Sequence, residues 1–217
     1  MLFRDDYLRR YVPIALIALV AFWAGHYLTH SNDRHADALP IEGFLWPNPP
    51  HLGQFSLQDD KGEEFDDSDL RGKWTLLFFG YTHCPDICPT TLATLKVVRE
   101  KLRDLSVFNS HGQILFVSVD SERDTPAVLR SYVRYFDPTF RAATAPPEKL
   151  HLLTRQLGTT FVKISTGESP DYWFDHSSSM LLIGPDLRVL GEFVPPHNAQ
   201  NLAARIRSII NFIDDDV

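Results

Sequence analysis

Phe79-Gly-Tyr-Thr-His-Cys84-Pro-Asp-Ile-Cys88-Pro89 holds both cysteines of the 217-residue chain. Before it, residues 73–80 (KWTLLFFG) form a continuous apolar run, the pattern of a strand buried on both faces of a sheet. After it, Leu92, Leu95, Val98 and Leu102 recur at the spacing of one buried helical stripe. The two thiols therefore stand four residues apart at a strand-to-helix junction, among prolines. Such a placement suits a redox pair or a soft-metal site.

Working outward, residues 54–57 and 64–65 read as a short hairpin around Asp59-Asp60-Lys61-Gly62. Residues 113–119 (QILFVSV) form a second buried strand. Thr125-Pro126 opens a helix with Leu129, Tyr132, Val133 and Phe136 inward. Residues 160–164 read as a short strand. Residues 180–183 and 188–193 flank Gly184-Pro-Asp-Leu, a turn between antiparallel strands. Asn198 caps a last helix that runs to Phe212. The order is hairpin, then βαβα, then ββα. A central βαβ with a terminal ββα is the plan of an α/β, thioredoxin-like domain. That fold carries its active cysteines at the first strand-to-helix junction, where Cys84 and Cys88 lie.

The chemistry of the pair follows from its position. If the helix includes both sulfurs, positions i and i+4 share a face. The helix N-terminus favours negative charge and lowers a thiol pKa, and the thiolate is both the nucleophile and the metal ligand. Asp86 opposes thiolate formation unless it faces away. Disulfide oxidoreductases usually carry Cys-X-X-Cys. Three intervening residues still permit a disulfide and also let two sulfurs embrace an ion. A purely structural disulfide would close so short a loop that it would constrain the unfolded chain little.

Two thiolates leave a copper ion under-coordinated, so a third ligand is expected among the nine histidines. His176 precedes the strand 180–183. In a thioredoxin-like fold the loop at this place faces the active cysteines. Thioredoxins put a cis-proline there, but this chain has no proline between Pro170 and Pro185. Thiolate with imidazole suits copper or zinc. Asp175 is a candidate to orient the ring from behind. His83, beside Cys84, could tune the thiolate or act as a spare ligand. His51, His111, His151 and His197 have no feature that assigns them a function.

Composition sets the outer limits. With 44% apolar and 23% charged residues the chain is globular. A formal charge of −7, with no basic run after Arg10, argues against general nucleic-acid binding. Two cysteines are too few for a disulfide-stapled scaffold. Residues 11–28 (YVPIALIALVAFWAGHYL) would span about 27 Å as a helix, close to the hydrocarbon thickness of a bilayer. Arg4, Arg9 and Arg10 place the N-terminus inside and the remainder outside. The expected organisation is a cytoplasmic N-terminus (1–10), a transmembrane anchor (11–28), a linker (29–50) and the folded domain (51–217). Ala36-Asp37-Ala38 leaves a cleaved signal as the competing reading of the apolar segment. Either way the domain is exported, to the periplasm of a bacterium or to the intermembrane space from the mitochondrial inner membrane.

Gly80-Tyr-Thr-His-Cys84-Pro-Asp-Ile-Cys88-Pro89, Val117-Ser-Val-Asp120-Ser-Glu-Arg123-Asp124-Thr125-Pro126 and Asp175-His176-Ser177, in this order, resemble the Sco/SenC proteins. These are membrane-tethered, thioredoxin-like copper proteins that assist assembly of the CuA centre of cytochrome c oxidase. The likeness covers about residues 51–212. It implies Cys84, Cys88 and His176 as copper ligands, for Cu(I) and also for Cu(II). It gives Asp124 a modulating role, where the residue alone reads as a helix cap. It implies as partners subunit II of an oxidase or another copper oxidase, together with periplasmic copper carriers or thioredoxin-like reductants. His83 and Ser121 depart from the usual pattern. The alternative on the same scaffold is a thiol–disulfide oxidoreductase that reduces the partner's cysteines before metallation. A peroxidase lacks a convincing activating residue set beside the thiol.

Overall fold

In the computed structural model, residues 13, 16–24, 45–165, 167 and 171–215 are described. The chain divides into two units, Met1–Leu39 and Pro40–Val217. In the first, residues 16–24 are helical and expose Leu16, Ile17, Leu19, Val20, Phe22 and Trp23. Among the described residues no helix is long and apolar enough to cross a membrane. The whole expected cytoplasmic stretch (1–10), the ends of the expected anchor, and the expected linker up to residue 44 lie outside the described residues.

The second unit is built on a seven-stranded mixed sheet. Its strands are β1 (Ser56–Asp59), β2 (Glu64–Asp66), β3 (Trp74–Gly80), β4 (Gly112–Ser118), β5 (Arg141–Thr144), β8 (Met180–Ile183) and β9 (Val189–Phe193), in the order β2-β1-β5-β4-β3-β8-β9. A separate two-stranded sheet pairs β6 (Phe161–Ser165) with β7 (Tyr172–His176). The helices are α1 (Ile87–Lys101), α2 (Ser106–His111), α3 (Pro126–Phe136), α4 (Pro147–Gln156) and α5 (Ala199–Asp215). β3, β4 and β5 run parallel, joined by crossover helices, whereas β8 pairs antiparallel with β3. This is the expected α/β plan, with every residue of β3 buried.

Alternation along the strands sorts the core into two layers. Trp74, Leu76 and Phe78 join Leu92 and Leu95 of α1, Leu129 of α3 and Ile206 of α5 on one face. Leu77 and Phe79 join Leu150 of α4 with Phe161 and Phe174 of the β6–β7 hairpin on the other. Cys84 packs against both layers, because it sits above the end of β3 where they meet.

Three differences from the sequence expectation bear on the site. β5, α2 and α4 are additional elements. β5 has four residues, two of them alanine, so it shows no apolar alternation. Residues 172–176 ahead of Met180 form a strand with His176 at its end, and only 177–179 are loop. The stretch 45–50, read from its prolines as linker, already belongs to the domain. Leu45 bridges Gly191, His51 bridges Arg188, and Trp46 N–H donates to the Leu190 carbonyl at 2.8 Å. Asn198 caps α5 as expected, accepting from Asn201 N–H at 3.0 Å, and the helix continues to Asp215.

Candidate metal centre

β3 ends at Gly80, and the chain turns sharply, with Cys84 N–H donating to the Tyr81 carbonyl at 3.2 Å. Asp124 holds this turn from below. Its buried carboxylate accepts from Thr82 N–H at 2.9 Å, from the Thr82 hydroxyl and from the Ser118 hydroxyl. It is therefore not the cap of α3. Thr125 is, with its hydroxyl accepting from Val128 N–H at 3.4 Å.

α1 begins at Ile87, so only Cys88 lies within the helix. Asp86 makes no side-chain cap bond. The Cys84 sulfur takes that place, accepting from Cys88 N–H at 3.5 Å. A bond from the Cys88 thiol, then the backbone N–H groups of Cys88 and Asp86, hold the Cys84 thiol far below the ordinary range against the cost of burial. Cys88 moves the opposite way, because it donates to Cys84 and is fully buried, with the charges of Cys84 and Asp124 nearby. Both cysteines are free. The two shifts favour negative charge on half-buried Cys84 and the proton on Cys88.

His176 reaches the pair from the end of β7. Its Nε2 lies 3.7 Å from Cys88 Sγ, and its Nδ1 lies 2.9 Å from the Ser177 carbonyl. A carbonyl only accepts, so Nδ1 carries the hydrogen and Nε2 offers its lone pair to the sulfurs. Tyr81 and Phe78 fence the ring edge-on, at centroid distances of 5.8 and 6.3 Å. The ligand atoms of Cys84, Cys88 and His176 all lie within 4.8 Å of one another. A closed-shell ion with bonds of about 2.3 Å to sulfur and about 2.0 Å to nitrogen, at trigonal angles, requires an N···S separation of about 3.7 Å. The Cys88–His176 distance already has that value, so the donor set fits a soft ion.

The other candidates stand elsewhere. Asp175 is exposed, on the face of β7 opposite His176, so it does not orient the ring; the Ser177 carbonyl does. His83 is 55% exposed, with Nδ1 3.1 Å from Thr82 Oγ1 and 3.9 Å from Asp124 Oδ1. It points toward the Asp124 side of the loop. His83, Asp120 and Asp124 form a second cluster of ligand-type groups, but both carboxylates are already engaged. Asp120 is bonded to Arg123 and accepts from the Tyr172 hydroxyl at 2.9 Å.

Sequence reading missed Gly80. A Cβ there would come within 2.7 Å of Cys88 Sγ and 2.7 Å of the Phe116 ring. Its signal was a lone glycine closing an apolar strand, a common mark of close approach. It also missed Tyr132, whose hydroxyl is buried with no hydrogen-bond partner among the described residues and whose pKa is pushed up by burial and then by the negative charge of the cysteine pair and of Asp124.

The sequence and the fold are similar to those of known proteins. Residues 47–211 match the SCO1/SenC family. The mitochondrial SCO1 homolog 1 of Arabidopsis thaliana is 36% identical over 87% of this chain, and human mitochondrial SCO1 is 34% identical over 82%. The chain spans 58% and 60% of the length of these two relatives. Among solved structures, copper-bound ScoI of Arabidopsis thaliana superposes with a TM-score of 0.68 at 34% identity, covering 75% of this chain and 99% of that one. Copper-bound yeast Sco1 gives 0.66 at 28%, covering 75% and 90%. With its junctional cysteine pair, its inward histidine and a match across the folded unit, the chain belongs to the SCO1/SenC family.

Proposed function

We propose that this protein is a membrane-tethered copper chaperone that carries copper on Cys84, Cys88 and His176 and delivers it to the CuA centre of a cytochrome c oxidase. One observation carries the reading. Two sulfurs and an imidazole with a free Nε2 converge within bonding range of a single ion, in a fold whose relatives were solved with copper bound. Two thiolates and one imidazole suit Cu(I), and the imidazole extends the set toward Cu(II). Copper is cargo here. Of the three donors, Cys88 is fully buried, so a recipient's ligand meets the ion from the side of Cys84. Asp124 shapes the Cys84 loop, and residues 11–28 tether the domain on the periplasmic or intermembrane-space side.

The decisive experiment is titration of the reduced protein with Cu(I) and Cu(II), followed by absorbance. A thiolate-to-Cu(II) band lost in Cys84→Ser and weakened in His176→Ala supports the centre. Equal affinity and an equal spectrum in wild type and His176→Ala remove the histidine from it. For the tether, carbonate extraction should leave the full chain in the membrane fraction and release a variant lacking residues 1–28.

The split between a thiolate and a thiol favours a second activity, reduction of partner cysteines before metallation. Turnover of a protein disulfide without copper, abolished in Cys84→Ser and retained in His176→Ala, would establish it. No reduction of an oxidised CuA-type domain would dismiss it.

A further inference from the structure

We infer that His197 is a positioning residue for this centre, acting through the three serines that join β7 to β8; the inference rests on His176 being a copper ligand. His176 ends a strand of the small sheet, whereas Met180 begins a strand of the main sheet. Ser177–Ser179 are the strap between them. Ser177 N–H donates to the Thr160 carbonyl at 3.3 Å, and Ser179 N–H to the Ser177 hydroxyl at 3.2 Å. A third tie comes from the segment that leads into α5. His197 Nε2 lies 3.0 Å from the Ser178 carbonyl and must carry the hydrogen, since a carbonyl cannot donate.

His197 stands two residues before α5. That helix buries Leu202, Ala203, Ile206, Ile209 and Ile210 in the same core layer as Cys88. His197 therefore pins the strap to the body that holds the cysteines. The Ser178 carbonyl it grips belongs to the peptide next to the Ser177 carbonyl, which accepts from His176 Nδ1–H. Turning the strap would take that acceptor away. The tautomer with hydrogen on Nε2 would then compete, and that tautomer has no lone pair for a metal on the cysteine side. Cu(I), held by two thiolates, depends less on the imidazole than Cu(II) does.

The test is Cu(II) titration of the full-length reduced protein carrying His197→Ala, His197→Gln or His176→Ala, with the double variant and with thermal unfolding as a folding control. Loss of the ring should weaken Cu(II) binding roughly 10-fold, the lower end of what neighbours of metal ligands contribute. It should also move the thiolate-to-Cu(II) band. Glutamine, which retains an N–H donor, should restore most of both. In a His176→Ala background the change at residue 197 should have no further effect. An unchanged band and affinity in well-folded His197→Ala, or an undiminished effect without His176, overturns the inference. Should His197→Ala not fold, 15N spectra of the wild-type apoprotein decide: hydrogen on His176 Nδ1 is expected, and hydrogen on Nε2 refutes the strap. Equal copper binding by wild type and His176→Ala would instead sink the ligand reading itself, while the apoprotein tautomer reports on the strap independently.

Discussion

Replacing Gly80 by alanine probes the junction most directly. The added methyl would lie 2.7 Å from Cys88 Sγ and 2.7 Å from a carbon of the Phe116 ring, which also stands 3.2 Å away at its tip. Ordinary contact lies at about 3.5–4.0 Å, so each neighbour must retreat by about 1 Å. Neither does so easily, because both are fully buried, one on α1 and the other on the adjacent strand β4. Overpacking of this kind costs about 1–3 kcal/mol, which lowers the melting temperature of a domain this size by roughly 2–12 °C. The share of the displacement that falls on Cys88 moves its sulfur off the 3.7 Å approach to His176. Thermal unfolding of the reduced apoprotein and Cu(I) competition titration should both register the change. A wild-type melting temperature together with wild-type affinity would refute the packing argument.

Four further outcomes are expected. Because Cys84 is the thiolate and Cys88 the buried thiol, iodoacetamide should modify Cys84 first, at a rate nearly constant from pH 6 to 8; preferential labelling of Cys88 contradicts the assignment. The same shifts link to stability with opposite signs. The lowered Cys84 pKa contributes stability that is full above the ordinary thiol value of about 8.5 and fades as pH falls toward its folded value, whereas the raised Cys88 pKa makes stability decline above about 8.5. Chemical unfolding of wild type against Cys84→Ser from pH 5 to 8 should thus show a gap that widens with pH. Metal capture by both sulfurs should release about one proton at pH 7, since only Cys88 still holds one; calorimetry in buffers of different ionisation enthalpy measures it, and two protons would contradict the split. Finally, Asp124→Ala leaves the Thr82 N–H, the Thr82 hydroxyl and the Ser118 hydroxyl without their acceptor, at a cost of about 3 kcal/mol or more. Urea unfolding checks this, and a loss below about 1 kcal/mol would show that the loop is held by other means.

Much of the scaffold was legible because its signals are local. β3 and β4 are continuous apolar runs, and α1 and α3 carry helical stripes. The β1–β2 hairpin and the turn between β8 and β9 contain the residues those turns require. β5 and β7 were not legible. β5 is short and built on Ala142 and Ala143, whose small side chains carry little hydrophobic signal. β7 is defined by its ladder with β6, in which Phe161 faces His176 and Ile164 faces Trp173, a pairing made by chain folding and not by local pattern. The contacts of the neighbouring carboxylates were not legible for the same reason. Strand parity turns Asp175 outward when His176 faces in, and Asp124 lies beneath a loop 42 residues away in the chain.

The primary structure alone determined that two sulfurs meet at a strand-to-helix junction, since four residues and one turn suffice to bring them together. It also determined the parallel core, because apolar runs of that length cannot be solvated. Only the tertiary structure shows how closely the imidazole of His176, 88 residues along the chain from Cys88, approaches them. It also decided which ring nitrogen faces the sulfurs and which cysteine carries the charge. Those properties depend on burial and on single hydrogen bonds between distant segments, and neither is encoded in local periodicity.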